Sequence, residues 1–149
     1  MPTEQENFMA QALALAAEAA AAGEVPVGCV IVRDGEIVGR GRNRRETAQT
    51  ALGHAELEAI AQACRTLGGW RLAGCALYVT LEPCPMCAGA IVNARIPAVY
   101  YGAKDDKAGC CGSVLNLFEE RFNHHPRIYG RVLEAECAAL LQEFFQSLR

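Results

Sequence analysis

The sequence predicts an α/β fold in which a central sheet lies between layers of helices. Short apolar segments typical of buried strands alternate with longer segments whose apolar residues follow helical spacing, and Gly and Pro residues separate them. The chain has 149 residues, 52% of them hydrophobic and 21% charged. This size and balance are typical of one globular domain, so we expect a single domain over residues 1–149.

The first elements are predicted to be a helix and a hairpin. The apolar run Met9–Ala22 has the spacing of an amphipathic helix, and it is shorter than the roughly 20 residues that span a bilayer. Val27–Val32 is nearly continuous in apolar residues, as in a buried strand. Asp34-Gly35 is a turn signal, so we expect the chain to reverse there into a second strand over Glu36–Gly41.

The rest of the chain continues the alternation of helices and strands. A polar stretch precedes a helix that is predicted to begin near His54 and to end at Gly68-Gly69. The later predicted elements are a strand over Cys75–Leu81, a helix over Met86–Ala94, a strand over Pro97–Tyr101, a loop over Gly102–Gly112, a short helical segment over Leu115–Glu120, a strand near Ile128 and a helix over Leu133–Leu148.

Composition also indicates the cellular compartment and the kinds of binding partner. Eight cysteines occur in a chain that is large and apolar enough to fold without disulfides, so we expect free thiols and a cytoplasmic location. The formal net charge of −3 argues against a protein whose whole surface binds nucleic acid. A local basic patch remains compatible with RNA. The candidates for phosphate contacts are Arg40, Arg42, Arg44 and Arg45, with Lys104 and Lys107, and a solvated charged face is the alternative.

One set of residues has the spacing of a metal site. Cys84 and Cys87 are three residues apart, so at the start of a helix they lie about 60° from each other and both can reach one ion. Pro85 suits the first helical position, which puts Cys84 at the helix entrance. The free amides and the dipole at this helix start favour a thiolate over a thiol.

His54 and Glu56 complete this set. Residues that are two positions apart on a regular helix point about 200° away from each other. These two side chains therefore converge only if His54 precedes the first helical residue. We therefore expect a zinc ion between the N-termini of two helices, bound by His54, Cys84 and Cys87. Three protein ligands leave a fourth position for water, which is the pattern of a catalytic zinc site, and Glu56 is the candidate general base.

A closed zinc site that only stabilises the fold is the structural alternative. It requires a fourth protein ligand, and among the remaining six cysteines Cys110 and Cys111 are the strongest candidates because they lie in a loop. Most of the others fall in apolar helix or strand patterns, where a small buried thiol is common. A purely structural site gives no reason for Glu56, so the catalytic interpretation is favoured.

The pair of motifs His-x-Glu and Pro-Cys-x-x-Cys is the signature of zinc-dependent base deaminases. Over nearly its full length the chain resembles the family of bacterial deaminases that act on the wobble adenosine of tRNA. The stretches that carry the resemblance are Val25–Gly28, Gly41–Asn43, Leu81–Ile91, Tyr101–Ser113, Asn123-His124 and Glu136–Phe145.

The resemblance implies a three-layer α/β/α fold like that of cytidine deaminase, with a sheet of about five strands, and a homodimer with a tRNA anticodon loop as substrate. It implies that Asn43 hydrogen-bonds the purine and that the backbone of Ala55 reads its reacting edge. Asp105 would lie near the flipped nucleotide, and Val25 and Pro26 would line the pocket. Asn43 as a turn cap and Asp105 as a solvated loop carboxylate are the structural alternatives.

One backbone group and one aromatic pair are further candidates for a role at the site. The backbone N–H of Cys84 is a candidate donor to the oxygen that gains charge during hydrolytic deamination. Phe144 and Phe145 resemble an aromatic pair that helps to seat the RNA, and packing inside a helix layer is the alternative.

The segment Thr50–Gly53, immediately before His54, departs from the Asp-Pro-Thr-Ala pattern that is typical of the family. This segment shapes the mouth of the pocket, so a deaminase of a free base or nucleoside such as guanine, adenosine or cytidine is the alternative function. A zinc module that binds RNA without catalysis is a further alternative, and it requires four protein ligands to the metal.

Overall fold

The computed structural model describes all residues from 1 to 149 and confirms the predicted α/β/α fold with a five-stranded sheet. In chain order the elements are α1 (Glu4–Ala21), β1 (Gly28–Arg33), β2 (Glu36–Arg42), α2 (Ala55–Leu67), β3 (Cys75–Leu81), α3 (Pro85–Ala94), β4 (Ala98–Ala103), a short 3-10 helix (Leu117–Glu119), β5 (Arg127–Tyr129) and α4 (Glu134–Ser147). All predicted elements are present, and β3 has the predicted bounds.

The sheet is mixed, with the strand order β2-β1-β3-β4-β5. β1 runs antiparallel to β2 and β3, whereas β3, β4 and β5 are parallel to one another. The register pairs Cys29 with Val79, so the chain that enters β1 meets the chain that leaves β3 at the same edge of the sheet. This edge carries the segments around Val25 and Glu82, and the functional residues gather there.

Helices cover both faces of the sheet. α2 and α3 pack on one face through alanines and aliphatic residues such as Ala59 and Ile91, which join Ile31, Leu77 and Val99 in the larger part of the core. α1 and α4 cover the other face, where Met9 and Cys137 pack around Tyr78. The alternation of side chains along each strand therefore divides the apolar residues between two layers of core.

α1 is stabilised at its start by a reciprocal cap that was not predicted from the sequence. The side chain of Thr3 accepts a hydrogen bond from the N–H of Glu6, and the Glu6 carboxylate accepts one from the N–H of Thr3. The helix buries Met9 and three alanines against the sheet. None of the four helices combines the length and hydropathy that a membrane-spanning segment requires.

Glycine at two strand positions allows helices to approach the sheet closely. A Cβ atom on Gly41 would lie 2.2 Å from the carbonyl oxygen of Ala55, and one on Gly28 would lie 1.9 Å from that of Ala12. Both separations are far below van der Waals contact, so a side chain at either position would displace the helix. Gly41 thereby allows the first turn of α2 to lie directly against β2.

Candidate active site

Two helices begin at the same edge of the sheet and direct their first residues toward one cavity. His54 is the N-cap of α2, with extended backbone angles of φ −95° and ψ 148°. Because His54 precedes the helix and Glu56 lies in its first turn, both side chains face the cavity. Cys84 is the N-cap of α3 and Pro85 follows at the start of that helix, as its sequence predicts.

The structure brings His54, Cys84 and Cys87 together. His54 Nδ1 lies 3.6 Å from Cys84 Sγ and 3.5 Å from Cys87 Sγ, and the three ligand atoms all lie within 4.8 Å of one another. A tetrahedral zinc ion, at about 2.3 Å from sulfur and about 2.1 Å from nitrogen, separates such atoms by about 3.6 Å. The arrangement therefore fits a metal site with three protein ligands.

No fourth His, Cys, Asp or Glu ligand belongs to this cluster. Cys110 donates instead to the carbonyl oxygen of Ala108, and Cys111, although buried, does not belong to the group whose ligand atoms lie within 4.8 Å of one another. All eight cysteines are free thiols. The closed site that was the structural alternative lacks its required fourth ligand.

Hydrogen bonds among the three ligand atoms determine which sulfur carries negative charge. The hydrogen bond with the Cys87 thiol lowers the pKa of Cys84 to about 4, and the hydrogen bond with His54 lowers it further against the effect of burial. The same bond with Cys84, together with burial, raises the pKa of Cys87. The partnership with Cys84 also raises the pKa of His54. A thiolate is thus ready for a cation at Cys84.

Glu56 lies beside this cluster and is nearly inaccessible to solvent, with 4% of its surface exposed. Burial is the main cause that raises the pKa of its carboxyl to about 7. A group that exchanges its proton near neutral pH and lies in a cavity has the properties required of a general acid and base.

The cavity in front of these residues has a volume of about 230 Å³. Four residues that the resemblance implies for substrate binding line it: Val25, Asn43, Ala55 and Asp105. Pro26, the fifth residue of this set, does not line the cavity. The N–H of Val27 donates to the carbonyl oxygen of Val25 at 2.9 Å, so the chain makes a tight turn at Pro26, which is buried, while Val25 and Val27 line the cavity.

Asn43 and Asp105 both line the cavity and stabilise the loops that carry them. Asn43 Oδ1 accepts from the N–H of Arg45 at 3.1 Å, and its Nδ2 donates to the carbonyl oxygen of Val25 at 3.3 Å. Asp105 Oδ1 accepts from the N–H groups of Lys107 and Ala108. An amide and a carboxylate have further donor or acceptor capacity, so these bonds leave room for a substrate contact.

The two aromatic residues of α4, Phe144 and Phe145, differ in exposure. Phe144 lies in a groove between α1 and α4, whereas Phe145 remains 47% exposed. Their ring centroids are 5.5 Å apart. The ring of Phe145 is therefore accessible at the surface. Phe144 packs against the helices, which was the alternative to a contact with RNA.

Two buried carboxylates that were not predicted from the sequence support the walls of the cavity. Glu24, 1% exposed, accepts from the N–H of Glu46 at 3.1 Å, from the N–H of Thr47 at 2.6 Å and from the Thr47 hydroxyl. Glu82, 2% exposed, accepts from the loop that carries Asp105. A charged residue beside an apolar strand, as at both positions, is the signal that could have identified them.

The fold and the site together define a deaminase. Residues 3–149 match the model of the family described as MafB19-like deaminase. The chain is 51% identical to the tRNA-specific adenosine deaminase of Bacillus subtilis, over 99% of this chain and 92% of that protein. It is 44% identical to the enzyme of the same name from Agrobacterium fabrum, over 98% of this chain and 97% of the relative. The chain therefore belongs to the family of tRNA-specific adenosine deaminases, as the sequence resemblance predicted.

Solved structures agree with this assignment. A structure from a study of A-to-I editing by tRNA:A34 deaminases at the wobble position is 44% identical, with a TM-score of 0.88 over 91% of this chain and 99% of that one. Guanine deaminase from Bacillus subtilis is 36% identical, with a TM-score of 0.65 over 97% of this chain and 92% of that one. The predicted cytidine-deaminase-like architecture is thus confirmed.

The hydrogen bonds of Glu24 generate a prediction about stability. Burial alone raises the pKa of this carboxyl, but the bonds from Thr47 and Glu46 outweigh burial and lower the pKa below its ordinary value of 4.5. The stabilisation is therefore present above pH 4.5 and lost as the pH falls through the lower pKa of the folded state. We expect Glu24→Gln to reduce the free energy of unfolding by about 1–3 kcal/mol at pH 7, and by less below pH 4.5.

Urea unfolding at a series of pH values measures this difference. Glu18→Gln, which changes an exposed glutamate on α1, is the matched control and should leave the unfolding midpoint unchanged. A Glu24→Gln deficit that stays constant from pH 7 to pH 3 would show that the carboxylate charge is not the stabilising feature.

Proposed function

We propose that this enzyme deaminates adenosine to inosine at the wobble position of a tRNA anticodon, with zinc as its cofactor. The observation that carries the proposal is the placement of Glu56, buried in the cavity beside the His54, Cys84 and Cys87 cluster. Relatives at 44–51% identity that are named tRNA-specific adenosine deaminases support adenosine in tRNA as the substrate.

His54, Cys84 and Cys87 are the residues that would hold the zinc ion. One imidazole and two thiolates are a donor set that zinc favours, and their spacing in this structure suits a tetrahedral ion. When bound at such a site, zinc supplies Lewis acidity that lowers the pKa of a water molecule to around 7.

Glu56 carries the protons of the reaction. Its carboxylate takes a proton from the attacking water and delivers it to N1 of adenine as the water oxygen bonds to C6. The second water proton reaches the exocyclic amine by the same carboxylate, the C6–N6 bond breaks, and ammonia and inosine remain. The pKa of about 7 allows Glu56 to accept and release a proton at neutral pH.

The walls of the cavity suit a purine. Val25, Val27 and Leu81 offer apolar surface for the faces of the base, and Asn43 supplies a further hydrogen-bond donor and acceptor at one side. The first amides of α2, beginning at Ala55, and the backbone N–H of Cys84 have no partner within their helices and are available to substrate oxygen or nitrogen atoms.

Arg45 is the arginine best placed to meet RNA phosphate beside the cavity. Its side chain lines the cavity and is half exposed, with only a long contact of 3.9 Å to Glu46. Arg44, in contrast, is engaged by Glu58 at 2.6 Å. We assign the enzyme to the cytoplasm, where its tRNA substrate and a reducing environment for its free thiols coincide.

An apolar face beside the site supports a homodimer. A groove on α2 and α3 is lined by apolar residues that include Leu57, Met86 and Leu117, and Phe122 at its border is 48% exposed. Val114 and Leu115 add exposed apolar surface in the same part of the chain. Because α2 and α3 also carry the cavity residues, a second copy on this face would lie close to bound RNA.

The homodimer predicts that Phe122→Asp shifts the protein toward monomers, because a charge would replace apolar surface at the interface. Sedimentation velocity at micromolar concentration measures the change. Leu148→Asp, at an exposed position after α4, is the control and should sediment like the wild type. A wild-type protein that sediments as a monomer throughout would contradict the proposed assembly.

The substrate proposal is tested with an anticodon stem-loop RNA that carries adenosine at position 34, beside guanine, adenosine and cytidine as free compounds. We expect inosine and one equivalent of ammonia from the RNA and no ammonia from the free compounds. Ammonia from guanine alone would favour the free-base alternative. Absence of product from every amine-bearing compound, with zinc bound, would favour the RNA-binding module.

The role of Glu56 is tested by Glu56→Ala. We expect turnover of the RNA to fall at least about 10³-fold because no other buried carboxylate in the cavity is free to move protons. Zinc should remain at about one ion per chain by elemental analysis, since the three ligands are untouched. Glu18→Ala is the control with wild-type turnover, and near-normal activity of Glu56→Ala would exclude the proposed mechanism.

A further inference from the structure

The wall of the cavity that carries Asp105 and Ala108 is a loop without regular secondary structure, between β4 and the 3-10 helix. Resting on the proposed function, we propose that Glu82 is a positioning residue for this loop and thereby determines where Asp105 and Ala108 meet the substrate. Glu82 lies between the last residue of β3 and the Pro83-Cys84 entrance of α3. It therefore connects the loop to the edge of the sheet at which His54, Cys84 and Cys87 lie.

The Glu82 carboxylate accepts four hydrogen bonds, all from the loop. Oε1 accepts from the N–H of Asp105 at 3.1 Å and from the hydroxyl of Ser113 at 2.5 Å. Oε2 accepts from the N–H of Cys111 at 2.9 Å and from the N–H of Ser113 at 3.1 Å. The four donors come from both ends of the segment 105–113, so one carboxylate closes the loop.

These four bonds also exclude a direct role in chemistry. An ionised carboxylate has about four acceptor sites, and in Glu82 all of them are occupied by the loop. Although Glu82 lines the cavity and lies two residues before Cys84, it has no lone pair left for a substrate proton or a metal ion. Its influence on the reaction must therefore pass through the loop.

The loop is folded tightly around the carboxylate. A Cβ atom on Gly109 would lie 2.3 Å from Glu82 Cδ and 2.5 Å from the carbonyl oxygen of Asp105, so no side chain fits there. The N–H of Cys110 donates to the carbonyl oxygen of Pro83 at 2.8 Å, which attaches the middle of the loop to the same turn. The carboxylate is thus the centre about which residues 105–113 turn.

Asp105 transmits this placement to the cavity. Its N–H is held by Glu82, and its own Oδ1 accepts from the N–H groups of Lys107 and Ala108 at 3.0 and 3.2 Å. The backbone position of Ala108 therefore depends on Asp105, whose position depends on Glu82. Loss of the first bond in this series should displace both residues that line the cavity.

Glu82→Gln tests the proposal with little change of shape. Its amide NH₂ would face two donors of the loop, so two of the four bonds would be lost. We expect KM for the adenosine-34 stem-loop RNA to rise at least about tenfold, with a smaller change in kcat and about one zinc ion per chain. Ser113→Ala, which removes only the hydrogen bond from the hydroxyl, should raise KM by an intermediate amount. Ser113→Thr keeps a hydroxyl and should have wild-type kinetics.

A double-mutant cycle separates positioning from a general loss of structure. If Glu82 acts through Asp105, Glu82→Gln combined with Asp105→Ala should raise KM no more than about twofold beyond the larger single effect. Single effects that multiply in the double variant would overturn the proposal. If Glu82→Gln fails to fold, Ser113→Ala takes its place in the same cycle.

Amide hydrogen exchange provides a readout that does not depend on activity. In the Glu82→Gln variant the amides of Asp105, Cys111 and Ser113 should lose protection, while those in the middle of β3 keep it. Unchanged protection at these three amides would overturn the proposal. Failure of the wild-type enzyme on RNA would contradict the proposed function alone, because the exchange experiment would still decide whether Glu82 holds the loop.

Discussion

The convergence of two helix N-termini on one edge of a sheet is the constraint on which the rest of this structure depends. β3 leads directly into α3 and delivers Cys84 and Cys87 to this edge. α2 begins at the same edge because Gly41 allows its first turn to lie against β2. The N-terminal turns bring free amides and a favourable dipole to the position of the Cys84 thiolate. The cluster of His54, Cys84 and Cys87, the cavity and its loops are all arranged where these two helices begin.

Three buried glutamates show how local hydrogen bonding determines what a carboxylate can do. Glu56 lies in the cavity with burial as the dominant influence, so its pKa rises to about 7. Burial acts in the same direction on Glu24 and Glu82, but hydrogen bonds from their loops outweigh it, and the pKa of each is lowered. The same side chain thus becomes a proton carrier when donors are few, and a structural anchor when donors surround it.

Much of the fold was predictable because strand and helix signals were strong and local. The bounds of β3 were correct, and most other elements shifted by only one to three residues. The segment predicted as helical around Leu115–Glu120 is only a three-residue 3-10 helix, which begins at the side-chain cap of Asn116. Resemblance indicates which segment borders a pocket, but the turn that leaves Val25 and Val27 lining the cavity, and Pro26 buried, follows from the folded backbone.

By itself the sequence determined the residue types and spacings that make the chemistry recognisable: His54 and Glu56 two residues apart at a helix start, and two cysteines three apart after a proline. These features are local, since helix geometry relates residues that are close in the chain. Only the tertiary structure decided that Glu24 and Glu82 hold the cavity walls, because their partners lie more than 20 residues away. Contacts at such separations follow from the sheet order and the packing of loops, which no local pattern contains.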